Sequence, residues 1–87
     1  MHEASLIDSL MRRIDEVARA EGARRVVSVA VWLGALTHMS AGHFIEHFGH
    51  AAAGTIAEGA ALNVDVSSDM SHARAQEIVL QSVEVET

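Results

Sequence analysis

The run Arg25-Val26-Val27-Ser28-Val29-Ala30-Val31-Trp32-Leu33 leaves this chain few folds to choose from. β-Branched side chains are stiff at χ1 and fit a pleated strand better than a helix, so the run predicts a strand over 25–34, ended by Gly34. Alternation puts Val27, Val29, Val31 and Leu33 on one face and Val26, Ser28, Ala30 and Trp32 on the other. The second face is not plainly polar. Such a strand is expected to be covered on both sides, or to use one face for self-association.

The flanking segments supply the cover. Residues 5–21 read as a helix in which Leu6, Ile7, Leu10, Met11, Ile14, Val17 and Ala18 form one apolar stripe. Ser5 or Glu3 can cap its start, Asp8 suits the first turn, and Gly22 is placed to end it. A second helix is expected over 41–53, with Ser40 as N-cap and Gly54 as its stop. Ala41, Phe44, Ile45, Phe48 and Ala52 make its apolar stripe, while His43, Glu46, His47 and His50 fall on the opposite side. A short strand follows at 61–66, then a polar connection at 67–75. The last strand, 77–86, changes phase between Ile78/Leu80 and Val83/Val85, which predicts a β-bulge near Gln81 or Ser82. The fold class is therefore α+β: helix-strand-helix-strand-strand, two helices on one face of a small three-stranded mixed sheet. The 25–66 unit reads as a right-handed parallel crossover and the last two strands as an antiparallel hairpin. Strand order is left open.

With 87 residues, 49% of them hydrophobic, the chain is expected to form a single domain over 1–87. A net charge of −6 argues against nucleic acid as a partner. The lack of cysteine excludes disulfides, thiolate metal sites and cysteine catalysis. No apolar run reaches the ~18 residues of a membrane span, and the early acids do not resemble a signal peptide. A soluble cytoplasmic protein without membrane association is expected.

The chemistry is concentrated in nitrogen donors. Met1-His2-Glu3 directly precedes the first helix. A free α-amino group and an imidazole both lose their protons near neutral pH. With backbone amides that a metal can deprotonate, they offer adjacent chelate rings. A planar, nitrogen-rich set suits Ni(II) or Cu(II) better than tetrahedral Zn(II). Met1 is expected to be retained, because trimming of an initiator methionine needs a small second residue and His2 is large. A solvated terminal histidine is the plain alternative. On the second helix, His43, His47 and His50 stand at i, i+4 and i+7 beside Glu46, an auxiliary metal site or simply a solvated polar face. His43-Phe44-Ile45-Glu46-His47 also matches the H-x-x-E-H string of inverted zinc peptidases, but too little chain follows for a distant third ligand and a substrate chamber. His38 and His72 lie in connections from which either can approach the amino end and complete a coordination sphere; each also reads as a surface histidine. Met39 and Met70 read as packing before ligation. Gly54-Thr55 and Glu58-Gly59-Ala60 read as turn chemistry.

Taken together, several segments carry a resemblance. These are Met1-His2-Glu3 with Ser5-Leu6, Val29 and Val31, Gly34-Ala35-Leu36, and Phe44 and Phe48. Gly54-Thr55 with Glu58-Gly59-Ala60, Leu62, and Ser82-Val83-Glu84-Val85-Glu86 complete the set. The pattern resembles the hydrogenase and urease nickel-incorporation metallochaperones, the HypA family, nearly end to end. The resemblance implies Ni(II) held at the amino terminus by the terminal amine, the His2 imidazole and the backbone nitrogens of His2 and Glu3. It implies a maturation GTPase and a hydrogenase large subunit as partners, and no enzymatic activity. Two departures stand out. The family inserts a zinc lobe with cysteine-type ligands between the last two strands, where this chain has only 67–75 and no cysteine, so no structural zinc is expected. The loop position that often carries an acid is Ser40 here.

The leading expectation is a nickel-binding accessory protein for a nickel enzyme such as [NiFe]-hydrogenase. The alternative is a metal-independent regulatory or interaction module, pairing with a full-length relative, a maturation GTPase or a second copy of itself.

Overall fold

A computed structural model describes residues 3–87, Glu3 by its backbone alone. The elements are α1 (Glu3–Ala20), β1 (Arg25–Leu33), a 3₁₀ turn (Ala35–Thr37), α2 (Ala41–Ala52), β2 (Ala61–Val66) and β3 (Ile78–Glu86). The two helices and the mixed sheet are those expected, with α1 beginning at Glu3, two residues before the expected start at residue 5.

α1 buries Ile7, Leu10, Ile14 and Ala18 at three- and four-residue spacing, with Leu6 and Met11 packed alongside. Its end is a Schellman motif: Ala23 N–H donates to Ala18 O at 3.0 Å and Gly22 N–H to Arg19 O at 3.1 Å. Gly22 takes φ 66°, which a residue with a Cβ adopts only at a cost. α2 is capped as expected, the Ser40 hydroxyl accepting from His43 N–H at 3.1 Å.

β1 is the central strand, in the order β2-β1-β3. It runs parallel to β2, with Val29 opposite Leu62 and Val31 opposite Val64, as a strand-helix-strand crossover requires. It runs antiparallel to β3, with Val29 opposite Val83 and Leu33 opposite Ile78. The expected hairpin between the last two strands is therefore not formed. β3 takes the free edge of β1, where Ile78, Leu80, Val83 and Val85 lie under α1 and pack on the core. The outer edge of β2 would have held them away from α1.

Two register steps decide which side chains face inward. Ala30 pairs with Ser82 and Val31 with Leu80, so Gln81 is the extra residue of the expected bulge in β3. That bulge returns Ile78 and Leu80 to the face of Val83 and Val85. A second step, between Val26/Val85 and Ser28/Glu84, leaves Val27 without a counterpart. Val26 thereby joins Val29, Val31 and Leu33 in the core, and Val27 is 39% exposed. The simple alternation had assigned those two residues the opposite way, because period two breaks at a bulge.

The core closes around Phe44, Ile14 and the inward face of β1. Phe44 and Phe48 lie in contact, ring centres 5.9 Å apart. The packed stripe of α2 is Phe44, Phe48 and Ala52. Ile45, expected in that stripe, is 47% exposed, because α2 lies over the edge strand β2 and no strand continues beyond it.

Candidate metal centre

The described amino-terminal turn of α1 meets two connections. Leu6 lines a cleft of about 430 Å³ with Leu36, His72, Ala73, Ala75, Gln76 and Glu77. It also lines a smaller hollow of about 240 Å³ with Leu36, Thr37, His38 and Gln76. The start of α1, the 36–38 turn and the 72–77 segment therefore converge on one end of the molecule. Met1 and His2, the first two nickel ligands expected from the sequence, lie outside the described residues, and of Glu3 only the backbone is described.

The 34–40 turn is held from below. Gly34 N–H donates to Glu77 O at 2.9 Å and Leu36 N–H to Ala75 O at 2.8 Å. A Cβ on Gly34 would stand 2.2 Å from the carbonyl oxygen of Ala75, so only glycine fits this crossing. The buried Thr37 hydroxyl donates to Gly34 O at 2.8 Å, and Met39 is buried as packing. Between these two anchors, His38 is exposed and takes φ 59°. The left-handed region costs a residue with a Cβ about 1–2 kcal/mol, so the surrounding contacts hold the turn in that shape. The sequence gives no sign of this, since neither apolar period nor glycine marks the position.

His72 reaches the same cleft but is engaged elsewhere. Its Nδ1 accepts Arg74 N–H at 2.9 Å. Its ring lies 4.8 Å from that of Trp32, tilted by 48°. His72 thus covers part of the sheet face opposite the helices, the face that the β1 alternation shows is not plainly polar. Elsewhere on that face, the Ser28 hydroxyl donates to Glu84 Oε1 at 2.6 Å.

On α2, the rings of His43 and His47 lie edge to face with centres 4.6 Å apart. Glu46 and His50 are exposed on the same side. Among the described residues, no three His, Cys, Asp or Glu side chains converge as a group able to hold a metal ion. Met70 is 69% exposed in the 67–77 connection.

The Gly54-Thr55-x-x-Glu58-Gly59-Ala60 segment is turn chemistry, as its composition suggests. Glu58 Oε1 accepts Gly54 N–H at 2.6 Å, and the Thr55 hydroxyl donates to Ala52 O at 2.8 Å. Ala57 is buried, and Val26 N–H donates to Ile56 O at 2.8 Å, tying the turn to the start of β1. Among the described residues, no helix is long and apolar enough to cross a membrane.

Comparison with known proteins places the chain in a family. A model of the family described as "Hydrogenase/urease nickel incorporation, metallochaperone, hypA" matches residues 1–82. The hydrogenase maturation factor HypA of Rhizobium leguminosarum bv. viciae is 37% identical over 65 residues, 75% of this chain and 58% of its own length. That of Methylocella silvestris is 38% identical over 66 residues, 76% of this chain and 58% of its own. The chain thus spans a little under three fifths of the length of these curated relatives. Among solved structures, the solution structure of the Ni metallochaperone HypA from Helicobacter pylori superposes with a TM-score of 0.77 at 21% identity, covering 98% of this chain and 97% of that one. The likeness shows a shared fold.

Proposed function

The chain belongs to the HypA family of hydrogenase/urease nickel-incorporation metallochaperones, and from that premise we propose that it captures Ni(II) at its amino end for maturation of a nickel enzyme such as [NiFe]-hydrogenase. The ligands in this reading are the α-amine of Met1, the imidazole of His2 and the backbone nitrogens of His2 and Glu3. Nickel is cargo here and no bond of a substrate is broken, so the protein acts as a carrier and not as an enzyme. The maturation GTPase and the hydrogenase large subunit are the proposed partners.

One observation carries the reading. α1 begins at Glu3 and is pinned by Ile7, Leu10, Ile14 and Ala18, all buried in the core. The described start of α1, which directly follows residues 1 and 2 in the sequence, is therefore anchored to the core, and support of that kind is what a well-ordered chelate requires. His38 borders the hollow beside Leu6 and is the proposed additional donor. His72 is the weaker candidate, with one nitrogen bonded to Arg74 N–H. Capture must release protons from the amine, the imidazole and the amides, so affinity falls as pH falls. The family's structural zinc does not fit this chain, which has no cysteine.

The test is calorimetric titration with Ni(II) of protein whose first residue is Met1, of the same protein extended by one residue, and of His2→Ala. Each change is expected to weaken binding at least tenfold, about 1.4 kcal/mol or more. Equal affinity in all three rejects the amino-terminal site. The second reading, a metal-independent interaction module, is favoured by half-buried Trp32 on the sheet face away from the helices and by the outer edge of β2. Capture of the partner GTPase by protein with no nickel affinity supports that reading.

A further inference from the structure

We infer that the outer edge of β2 is a self-pairing surface, on which β2 of a second copy of this chain lies antiparallel and continues the sheet. In the order β2-β1-β3, no strand among the described residues pairs with that edge. Edge strands commonly carry a lysine, a proline or a bulge that deters a second strand. β2 has neither lysine nor proline, and its register with β1 runs without a step from Ala61 opposite Ser28 to Val66 opposite Leu33. The outer edge of β3 is guarded, with a bulge at Gln81 and acids at Glu84 and Glu86.

The edge is complementary to itself in backbone and in side chains. Ser67 N–H donates to Leu33 O at 2.9 Å. Direction alternates along a strand, so the amides and carbonyls of Ala61, Asn63 and Asp65 also turn toward β1, and those of Leu62, Val64 and Val66 turn outward. An antiparallel pair centred on Val64 sets Val64 against Val64 and Leu62 against Val66. Every outward amide and carbonyl of the strand then meets a counterpart. Leu62, Val64 and Val66 lie opposite Val29, Val31 and Leu33, on the helix side of the sheet. Leu62 and Val64 are half-buried, while Val66 and the overlying Ile45 of α2 are each 47% exposed, so a second copy covers apolar surface along this edge. On the other face the same register sets the Asn63 amide beside the Asp65 carboxylate of the second copy, a donor against an acceptor, and the twofold axis repeats the pair. Centring on Asp65 would oppose two carboxylates, and centring on Asn63 would leave Val66 opposite Ala60, outside the strand. This self-complementarity selects a second copy as the occupant.

The inference rests on neither the amino-terminal nickel reading nor capture of a GTPase, and the test separates them. Sedimentation velocity of the full chain without added metal, from micromolar to millimolar concentration, is expected to show a reversible dimer of the 9.3 kDa chain. Asn63→Asp opposes carboxylates at two symmetric places and is expected to raise the dimer dissociation constant about fivefold or more. Adding Asp65→Asn restores an amide against a carboxylate and is expected to bring the constant back to within about twofold of the parent. Both positions are exposed, so the core is untouched, and unchanged far-ultraviolet circular dichroism verifies this. Hydrogen exchange at the Val64 amide is expected to slow as protein concentration rises. A chain that stays monomeric throughout overturns the proposal and leaves the edge to an extended segment of another protein. A dimer that Asn63→Asp leaves within twofold, or that the double variant fails to restore, overturns it as well. So does a dimer abolished by one extra residue before Met1, which moves the contact to the amino end.

Discussion

Adding a single methyl group at Gly34 is expected to cost this protein much of its stability. Gly34 has φ −66° and ψ 149°, a conformation open to any residue, so the cost is one of space and not of backbone strain. An ideal Cβ there meets Ala75 O at 2.2 Å, Ala75 C at 2.5 Å and Arg74 O at 2.7 Å. All three are backbone atoms of the 67–77 connection and cannot rotate away. Relief means separating the two segments by about an ångström, and overpacking of this kind typically costs about 1–3 kcal/mol. Separation also strains Gly34 N–H to Glu77 O and Leu36 N–H to Ala75 O. Each is worth about 0.5–1.5 kcal/mol when lost. Against this, alanine removes about 0.4–1 kcal/mol of unfolded-state freedom. The net loss is about 2–4 kcal/mol, a large part of the roughly 4–13 kcal/mol expected for a domain of this size.

Gly49 is the control of opposite sign. It lies inside α2, and a Cβ there meets nothing within 4 Å. Gly49→Ala should therefore stabilise by about 0.5–1 kcal/mol through helix propensity. Urea unfolding of both variants beside the parent reads the two effects directly, and two-state behaviour gives both free energies from shared slopes. A Gly34→Ala protein within 0.5 kcal/mol of the parent would falsify the close crossing at Ala75. So would loss of equal size in both variants, since that marks a general intolerance of alanine.

Three further outcomes are expected. Glu58→Ala removes the carboxylate that accepts Gly54 N–H at 2.6 Å and should lower stability by about 1–2 kcal/mol in urea, most of it recovered by Gln. Ser40→Ala removes the cap of α2 and should cost about 1 kcal/mol, with the loss of helix signal beginning at lower urea. His72→Ala uncovers Trp32, the only tryptophan, so its emission should shift to the red with little change in the urea midpoint. An unshifted spectrum means His72 does not cover that ring.

The elements were legible because they follow from periodicity, and the arrangement was less so because it follows from competition. Ile7, Leu10, Ile14 and Ala18 announce α1, and Ser40 announces α2. The phase change across Gln81 announces a bulge, because inward-facing valines cannot otherwise share a face with Ile78 and Leu80. The bulge at Val27 left no such trace, since valines flank it on both sides and either parity looks apolar. The position of β3 was misread for a related reason. A short connection favours a hairpin locally, but the free edge of β1 brings four apolar residues under α1, and burial outweighs proximity in sequence. The histidines divide in the same way. Helical spacing predicts that His43 and His47 are neighbours. Nothing local predicts that His72 turns to Trp32, or that His38 is set at φ 59° beside the amino-terminal helix.

The same topology brings three segments together at the end where the amino-terminal nickel site is proposed. Leu33 O accepts Ser67 N–H at 2.9 Å, and Gly34 N–H donates to Glu77 O, so the chain leaving β2 and the chain entering β3 are both tied to the end of β1. Because β1 is central, its end is the one place where the 34–40 turn, the 67–77 connection and the first turn of α1 can meet. A hairpin of β2 with β3 would have moved the second of these to the sheet's outer edge and opened the cleft against Leu6. If nickel is held at residues 1–3, Gly34 is then coupled to it through packing alone. Gly34→Ala should weaken Ni(II) binding wherever it still folds, whereas Gly49→Ala should not. Equal nickel affinity in a folded Gly34→Ala protein means the amine and His2 bind without help from this corner, and His38 then has no part in the site.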